Sequence, residues 1–265
     1  MSQALLQAEA IGKSFGAVIA LDAVSFNVAA GAVHAIIGPN GAGKTSLFNI
    51  ISGLVPASQG RLRFDGQEIT ALAPYRRAAI GISRTFQNIR VFPDMSVLEN
   101  VMTGMTPHLR QPLWALLLRT SAARQEERDA KEQAMALLDK VGLAGQALSR
   151  AADLAYGDQR RLEIARALAA KPKLLMLDEP AAGMNPTETR QLLQLLRGLR
   201  QDGLTILLVE HDMGFVMDLS DRLTVLNFGR VIADGAPEEI HSDPAVIEAY
   251  LGAKVAARLA AERAR

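Results

Sequence analysis

Over the first third of the chain, apolar residues fall into short runs and alternations. ALLQAEA, VIALDAVSFNV and AVHAII each have the spacing of β-strands. GRLRFDGQEI places Asp65-Gly66 between two strand-like pieces, a hairpin signal. GISRTFQ at 81–87 predicts a further strand. From about Pro93 to Lys171 the period lengthens and the charge rises. TSAARQEERDAKEQAMALLDKVGL carries its apolar residues at helical spacing on a charged background. Strand character returns in KLLMLDEP at 173–180. A helix (TETRQLLQLLRGLRQ), a strand (LTILLVEH), a helix (MGFVMDLSDR) and two strands (LTVLNFG and RVIADG) follow. The pattern predicts an α/β domain with a helical insertion at about 93–171. It shows no internal repeat, and the tail AKVAARLAAERAR reads as a solvated, fraying helix.

Composition narrows the picture. Of 265 residues 49% are hydrophobic and only 5% aromatic, so the core must be aliphatic. A net charge of +1 advertises no field for nucleic acid. The absence of cysteine excludes disulfides and thiolate metal sites. MSQALLQAEA lacks the pattern of a signal peptide. The apolar run PLWALLL at 112–118 falls far short of the roughly 18 residues of a membrane span.

IIGPNGAGKTS at 36–46 matches G-x-x-x-x-G-K-[ST], with an apolar strand before it and a helical pattern after it. Gly38, Pro39, Asn40, Gly41, Ala42, Gly43, Lys44, Thr45 and Ser46 would form a loop whose backbone N–H groups face phosphate oxygens. Lys44 supplies a charge to the β/γ-phosphates, and Thr45 a hard oxygen for Mg²⁺. KLLMLDEP ends a buried strand in two carboxylates. Asp178 suits the Mg²⁺ shell, and Glu179 suits orientation and deprotonation of an attacking water. Alone, this pair also has a plainer reading, as acids capping a strand end. His211, at the tip of LTILLVEH, is placed to hydrogen-bond a γ-phosphate. His34, His108 and His241 read as structural. The Gln87 amide has groups for both metal and water, although by itself it is also an ordinary surface residue.

A second anion site is suggested by DLAYGDQRRLEIAR at 153–166. There a Gly-containing turn opens a helix with arginines on one side and Leu162, Ile164, Ala165 and Leu168 towards the other.

The order phosphate loop, Gln87, LAYGDQ, LLMLDE, His211 resembles the ATP-binding subunits of ABC transporters along almost the whole chain. That resemblance implies a P-loop cassette at 1–252, with a mixed sheet core, an N-terminal antiparallel β part and the helical insertion; the tail at 253–265 has no assigned role. It implies ATP and Mg²⁺ as ligands, and Phe15 as the ring that stacks on adenine, against the alternative of a core phenylalanine. It also implies a head-to-tail pair of cassettes. Leu154, Ala155, Tyr156, Gly157 and Asp158 would then face the ATP held by the other chain, and AAGMNP at 181–186 would form a dimer contact.

The signature departs from the usual Leu-Ser-Gly-Gly-Gln. Ala155 lacks a hydroxyl whose bond to phosphate is worth roughly 1.5–3 kcal/mol. Asp158 at about 8 Å from phosphate would add roughly 2 kcal/mol of repulsion, so its side chain is expected to turn towards Arg160 or Arg161.

LAYGDQRRLEIARAL, LDEPAAGMNPTET, LLVEHDM and SRTFQNIRVFPDMSVLENVM together resemble the LivG-type ATPases of bacterial branched-chain amino-acid importers. That likeness implies a peripheral protein on the cytoplasmic face of the inner membrane. Its partners would be a sister ATPase, two integral-membrane permease subunits and, indirectly, a periplasmic binding protein. Importers of urea, amides or aromatic acids have similar ATPases. A soluble ABC protein acting on ribosomes or DNA is the remote alternative, and it fits poorly with a single cassette lacking a heptad run.

Overall fold

The structure, a computed structural model, describes residues 4–106 and 120–251. Strands β1 (Ala4–Phe15) and β2 (Val18–Ala29) pair antiparallel. Val24, Phe26 and Val28 alternate inward along β2, the period of a half-buried strand. β3 (Val33–Ile37) is buried at every position and leads through a loop into α1 (Lys44–Ile51). β4 (Gln59–Phe64) and β5 (Gln67–Glu68) form the expected hairpin. Asp65 and Gly66 both take positive φ, as its two-residue turn requires.

After α2 (Pro74–Ala79), the strand expected over 81–87 is shorter: β6 (Ile82–Arg84) pairs only with the strand beside it. The Thr85 N–H still bonds the Met176 carbonyl. Beyond it the Phe86 and Gln87 carbonyls turn to the Arg160 guanidinium instead of a sheet ladder.

The helical part contains α3 (Val97–Thr103), α4 (Ser121–Lys140) and α5 (Tyr156–Ala169). A Ser96–Glu99 capping box starts α3. Val97, Val101, Ala134, Leu138, Leu162 and Ala165 share a core separate from the two that flank the large sheet. This matches the expected helical insertion, apart from 107–119, His108 and the tail 252–265, which lie outside the described residues.

The chain then continues through β7 (Leu174–Asp178), α6 (Pro186–Gln201), β8 (Thr205–Val209) and α7 (Met213–Leu219). The described residues end with β9 (Arg222–Asn227), β10 (Arg230–Gly235), α8 (Pro237–Ser242) and α9 (Pro244–Leu251).

β1, β2, β4 and β5 make an antiparallel sheet in the order β2-β1-β4-β5. The second sheet runs β10-β9-β3-β8-β7-β6, parallel except for β10. The central strands β3, β8 and β7 are buried throughout, so they read as continuous apolar runs. His34 is structural, as expected: burial pushes its pKa down to about 4, and the ring sits 2.8 Å from the Thr224 hydroxyl.

Candidate functional site

β3, β7 and β8 are adjacent and parallel, so their C-terminal ends lie on one edge of the sheet. Each end carries one of the expected groups: the Gly38–Thr45 loop, Asp178-Glu179, and Glu210-His211. A ligand crevice outside the carboxyl ends of strands is the general arrangement of such sheets.

The loop conformation depends on its glycines. A Cβ at Gly38 would lie 2.1 Å from the Leu226 carbonyl oxygen, and one at Gly43 would lie 2.5 Å from that of Ala20. Gly43 N-caps α1 with φ of +104° and no side-chain cap, so the first-turn N–H groups are left for an anion. The Lys44 ammonium folds over the loop and donates to the carbonyls of Gly38 at 2.6 Å and Pro39 at 3.0 Å. Burial pushes its pKa down, and the charges of Glu179 and Asp178 oppose that shift. Thr45 is exposed and Ser46 half-buried.

Asp178 is buried at the tip of β7 and pairs with Arg84, Nη2 to Oδ2 2.8 Å. Glu179 has φ of +48°, left-handed backbone that is uncommon outside glycine. Its N–H bonds the Val209 carbonyl at 2.9 Å. Its carboxylate is held between two side chains, accepting from Gln87 Nε2 at 2.9 Å and lying 2.7 Å from His211 Nε2. The structure thus brings Gln87, Glu179 and His211 into one chain of contacts, with Lys44 close enough to feel both acids. Buried Glu210 supports this edge by accepting from the N–H groups of Ala181 at 2.7 Å and His211 at 2.8 Å.

LAYGD lies elsewhere in the chain, at the entrance to α5. Ala155 is the exposed N-cap, without a side-chain cap. Leu154 is buried in the helical core. The Tyr156 hydroxyl donates to the Ala182 carbonyl at 3.1 Å, and Gly157 packs on Glu188, whose Cδ would be 2.8 Å from an added Cβ. Asp158 turns aside as expected, pairing with Arg161 and accepting from Gln146 at 3.1 Å. Among the described residues no hydrogen bond joins this segment to the phosphate loop.

The structure refines two readings, at α5 and β1. Arg160, on the arginine side of the expected amphipathic helix, does not face solvent. It is fully buried, bonded to the carbonyls of Phe86 at 2.7 Å and Gln87 at 2.8 Å and paired with Glu163 at 3.0 Å. A guanidinium can be buried where carbonyls and a carboxylate meet most of its donors; here Nη1 and Nη2 are bonded and Nε is buried without a partner. Phe15 is half-exposed, with Lys13 Nζ 5.0 Å from its ring centroid, so it is not a core phenylalanine.

Sequence assigns no role to Arg84 or to the Glu210 carboxylate, and it offers Arg160 only as a partner for Asp158. The only signal for Arg84 is a cation inside an otherwise strand-like run.

A family model described as "ABC transporter" matches residues 21–182. A second, "Branched-chain amino acid ATP-binding cassette transporter", matches 230–256. The high-affinity branched-chain amino acid transport ATP-binding protein BraF of Pseudomonas aeruginosa is 45% identical, over 95% of this chain and 99% of its own. Among solved structures, the ADP conformation of MJ1267, an ATP-binding cassette of an ABC transporter, superposes with a TM-score of 0.83 at 36% identity, covering 95% of this chain and 100% of that one. The dimeric post-hydrolysis state of the cassette MJ0796, bound to ADP and Pi, gives a TM-score of 0.74 at 25% identity, over 88% of this chain and 98% of that one. With the same cassette fold and close sequence similarity along nearly its full length, the chain belongs to the ABC transporter family, as one of its ATP-binding, ATP-hydrolysing cassettes.

Proposed function

We propose that this chain hydrolyses ATP to energise import of branched-chain amino acids, paired head to tail with a second cassette beneath two permease subunits. The observation that carries the catalytic reading is the Glu179 carboxylate held between Gln87 and His211 at the edge where the phosphate loop ends. The cargo reading rests on the relatives' function and on the C-terminal family match.

In this reading the β- and γ-phosphates lie on the N–H groups of Gly38–Ser46, and Lys44 leaves the Gly38 and Pro39 carbonyls for them. Phe15 offers its exposed ring to adenine. Thr45, Asp178 and Gln87 present a hydroxyl, a carboxylate and an amide carbonyl. This hard-oxygen set fits Mg²⁺, which prefers few protein ligands beside phosphate and water. When bound, the ion neutralises phosphate charge. Glu179 accepts the proton of the attacking water, and His211 fixes the carboxylate and faces the γ-phosphate.

Leu154–Asp158 would complete the site on the partner cassette's ATP. The N-terminal turn of α5 supplies backbone N–H groups where Ala155 offers no hydroxyl.

No helix among the described residues is long and apolar enough to cross a membrane. In this reading, attachment to the cytoplasmic face of the inner membrane runs through the permeases. A groove of about 840 Å³ lined by Phe86, Val91, Phe92 and Arg166 lies beside Gln87 and is the surface we assign to a permease segment. The periplasmic binding protein would act only through those subunits.

The test is reconstitution of this chain with its sister ATPase, permeases and binding protein in proteoliposomes. ATP-dependent uptake of leucine, isoleucine and valine is expected. Uptake of urea, amides or aromatic acids in their place would overturn the cargo reading.

A further inference from the structure

The Arg84 guanidinium joins three parts of the molecule. Nη2 holds Asp178 Oδ2 at 2.8 Å, while Nη1 donates to Asn49 Oδ1 at 2.7 Å and Ser52 Oγ at 2.9 Å at the end of α1. The group lies near the rings of Phe48 and Phe86, at 5.7 and 5.3 Å from their centroids. Arg84 and Phe86 both line the groove beside Gln87. Arg84 Nε is buried without a partner, a cost that the other contacts must offset. A single side chain therefore touches the groove, the helix behind the phosphate loop, and the carboxylate expected to serve the metal.

We propose that Arg84 is a positioning residue that competes with the divalent cation for Asp178 and transmits occupancy of the groove to that competition. The proposal rests on the metal role given to Asp178 above. Both the guanidinium and a divalent cation need the same carboxylate, and a charge-assisted hydrogen bond in a buried pair is among the stronger polar contacts. Arg84 lies on β6, three residues before Gln87, so a segment seated against Phe86 would press on the strand that holds the guanidinium. Displacing the guanidinium from Asp178 raises cation affinity, and drawing it closer lowers it.

The test titrates Mg²⁺ at fixed ATP and reads the thermal unfolding midpoint, which rises as ligand binds the folded chain. Arg84→Gln removes the competing charge, so its half-saturating Mg²⁺ should fall by about tenfold, equivalent to about 1.4 kcal/mol. Arg84→Lys keeps a charge but cannot span Asn49, Ser52 and Asp178 together, and its shift should be in the same direction but smaller. It also carries the test if Arg84→Gln does not fold. Asp178→Asn is the control for the reading beneath. If it leaves the Mg²⁺-dependent rise intact, the metal role of Asp178 fails whatever Arg84 does.

With that control behaving, a Mg²⁺ midpoint unchanged in the folded Arg84 variants overturns the proposal. In the assembled transporter, the parent midpoint should differ from that of the free chain. The Arg84→Gln midpoint should be the same in both states. Equal parent midpoints would sever the link to the groove.

Discussion

Glu179→Gln is expected to keep ATP binding and lose hydrolysis by about 10²–10⁴-fold, the range for a positioned general base. The substitution is nearly isosteric. One amide oxygen still meets Gln87 or His211, so the edge of the sheet should hold its shape, and the loop that binds phosphate is untouched. What goes is the group that accepts the water's proton. The left-handed backbone at Glu179 is present in parent and variant alike and does not confound the comparison. Nucleotide binding and turnover should be measured with the sister cassette present. Near-normal turnover would remove Glu179 from the base role.

Lys44→Ala should act on binding instead. The lost ammonium makes charge-assisted contacts worth roughly 1.5–3 kcal/mol, which corresponds to nucleotide affinity falling by about 10- to 100-fold. Burial already pushes this ammonium's pKa down, with Glu179 and Asp178 opposing. It is therefore a group held ready in a low-polarity position, not a solvated surface lysine. The variant also leaves the Gly38 and Pro39 carbonyls without that donor, so nucleotide-free unfolding must be compared alongside. Parent-like ATP affinity in the folded variant would mean that the loop binds phosphate through backbone alone.

Much of this site was legible because its chemistry is written in contiguous residues. A phosphate loop needs its glycines and lysine at fixed spacing, since the chain must turn within a few residues. The acids of LLMLDE and the histidine of LVEHD are legible because each follows an apolar run that must be a buried strand. Arg84 and Arg160 were not legible, because a buried cation and a surface cation look alike in sequence. Their partners are also far away along the chain: Asp178 is 94 residues from Arg84, and the Phe86 carbonyl 74 from Arg160. The strand expected over 81–87 stopped short for the same reason, since it is Arg160 that draws Phe86 and Gln87 out of the ladder. The turning aside of Asp158 was foreseeable from charge, and Arg161 rather than Arg160 receives it because Arg160 is already committed to Glu163.

In the proposed head-to-tail pair one chain holds only half of each ATP site, and nucleotide trapping in the co-expressed cassettes tests this most directly. Gly157 is a poor place for the probe, because any side chain there meets Glu188. Ala155 is exposed, and Ala155→Asp would cap its own helix while setting a carboxylate where the partner's phosphate should lie. Lys44→Ala in this chain should abolish trapping at its own phosphate loop. Ala155→Asp should abolish trapping at the sister's loop and leave this chain's own loop able to bind. Loss confined to this chain's own loop in both variants would mean that LAYGD works in cis, and would contradict the shared site.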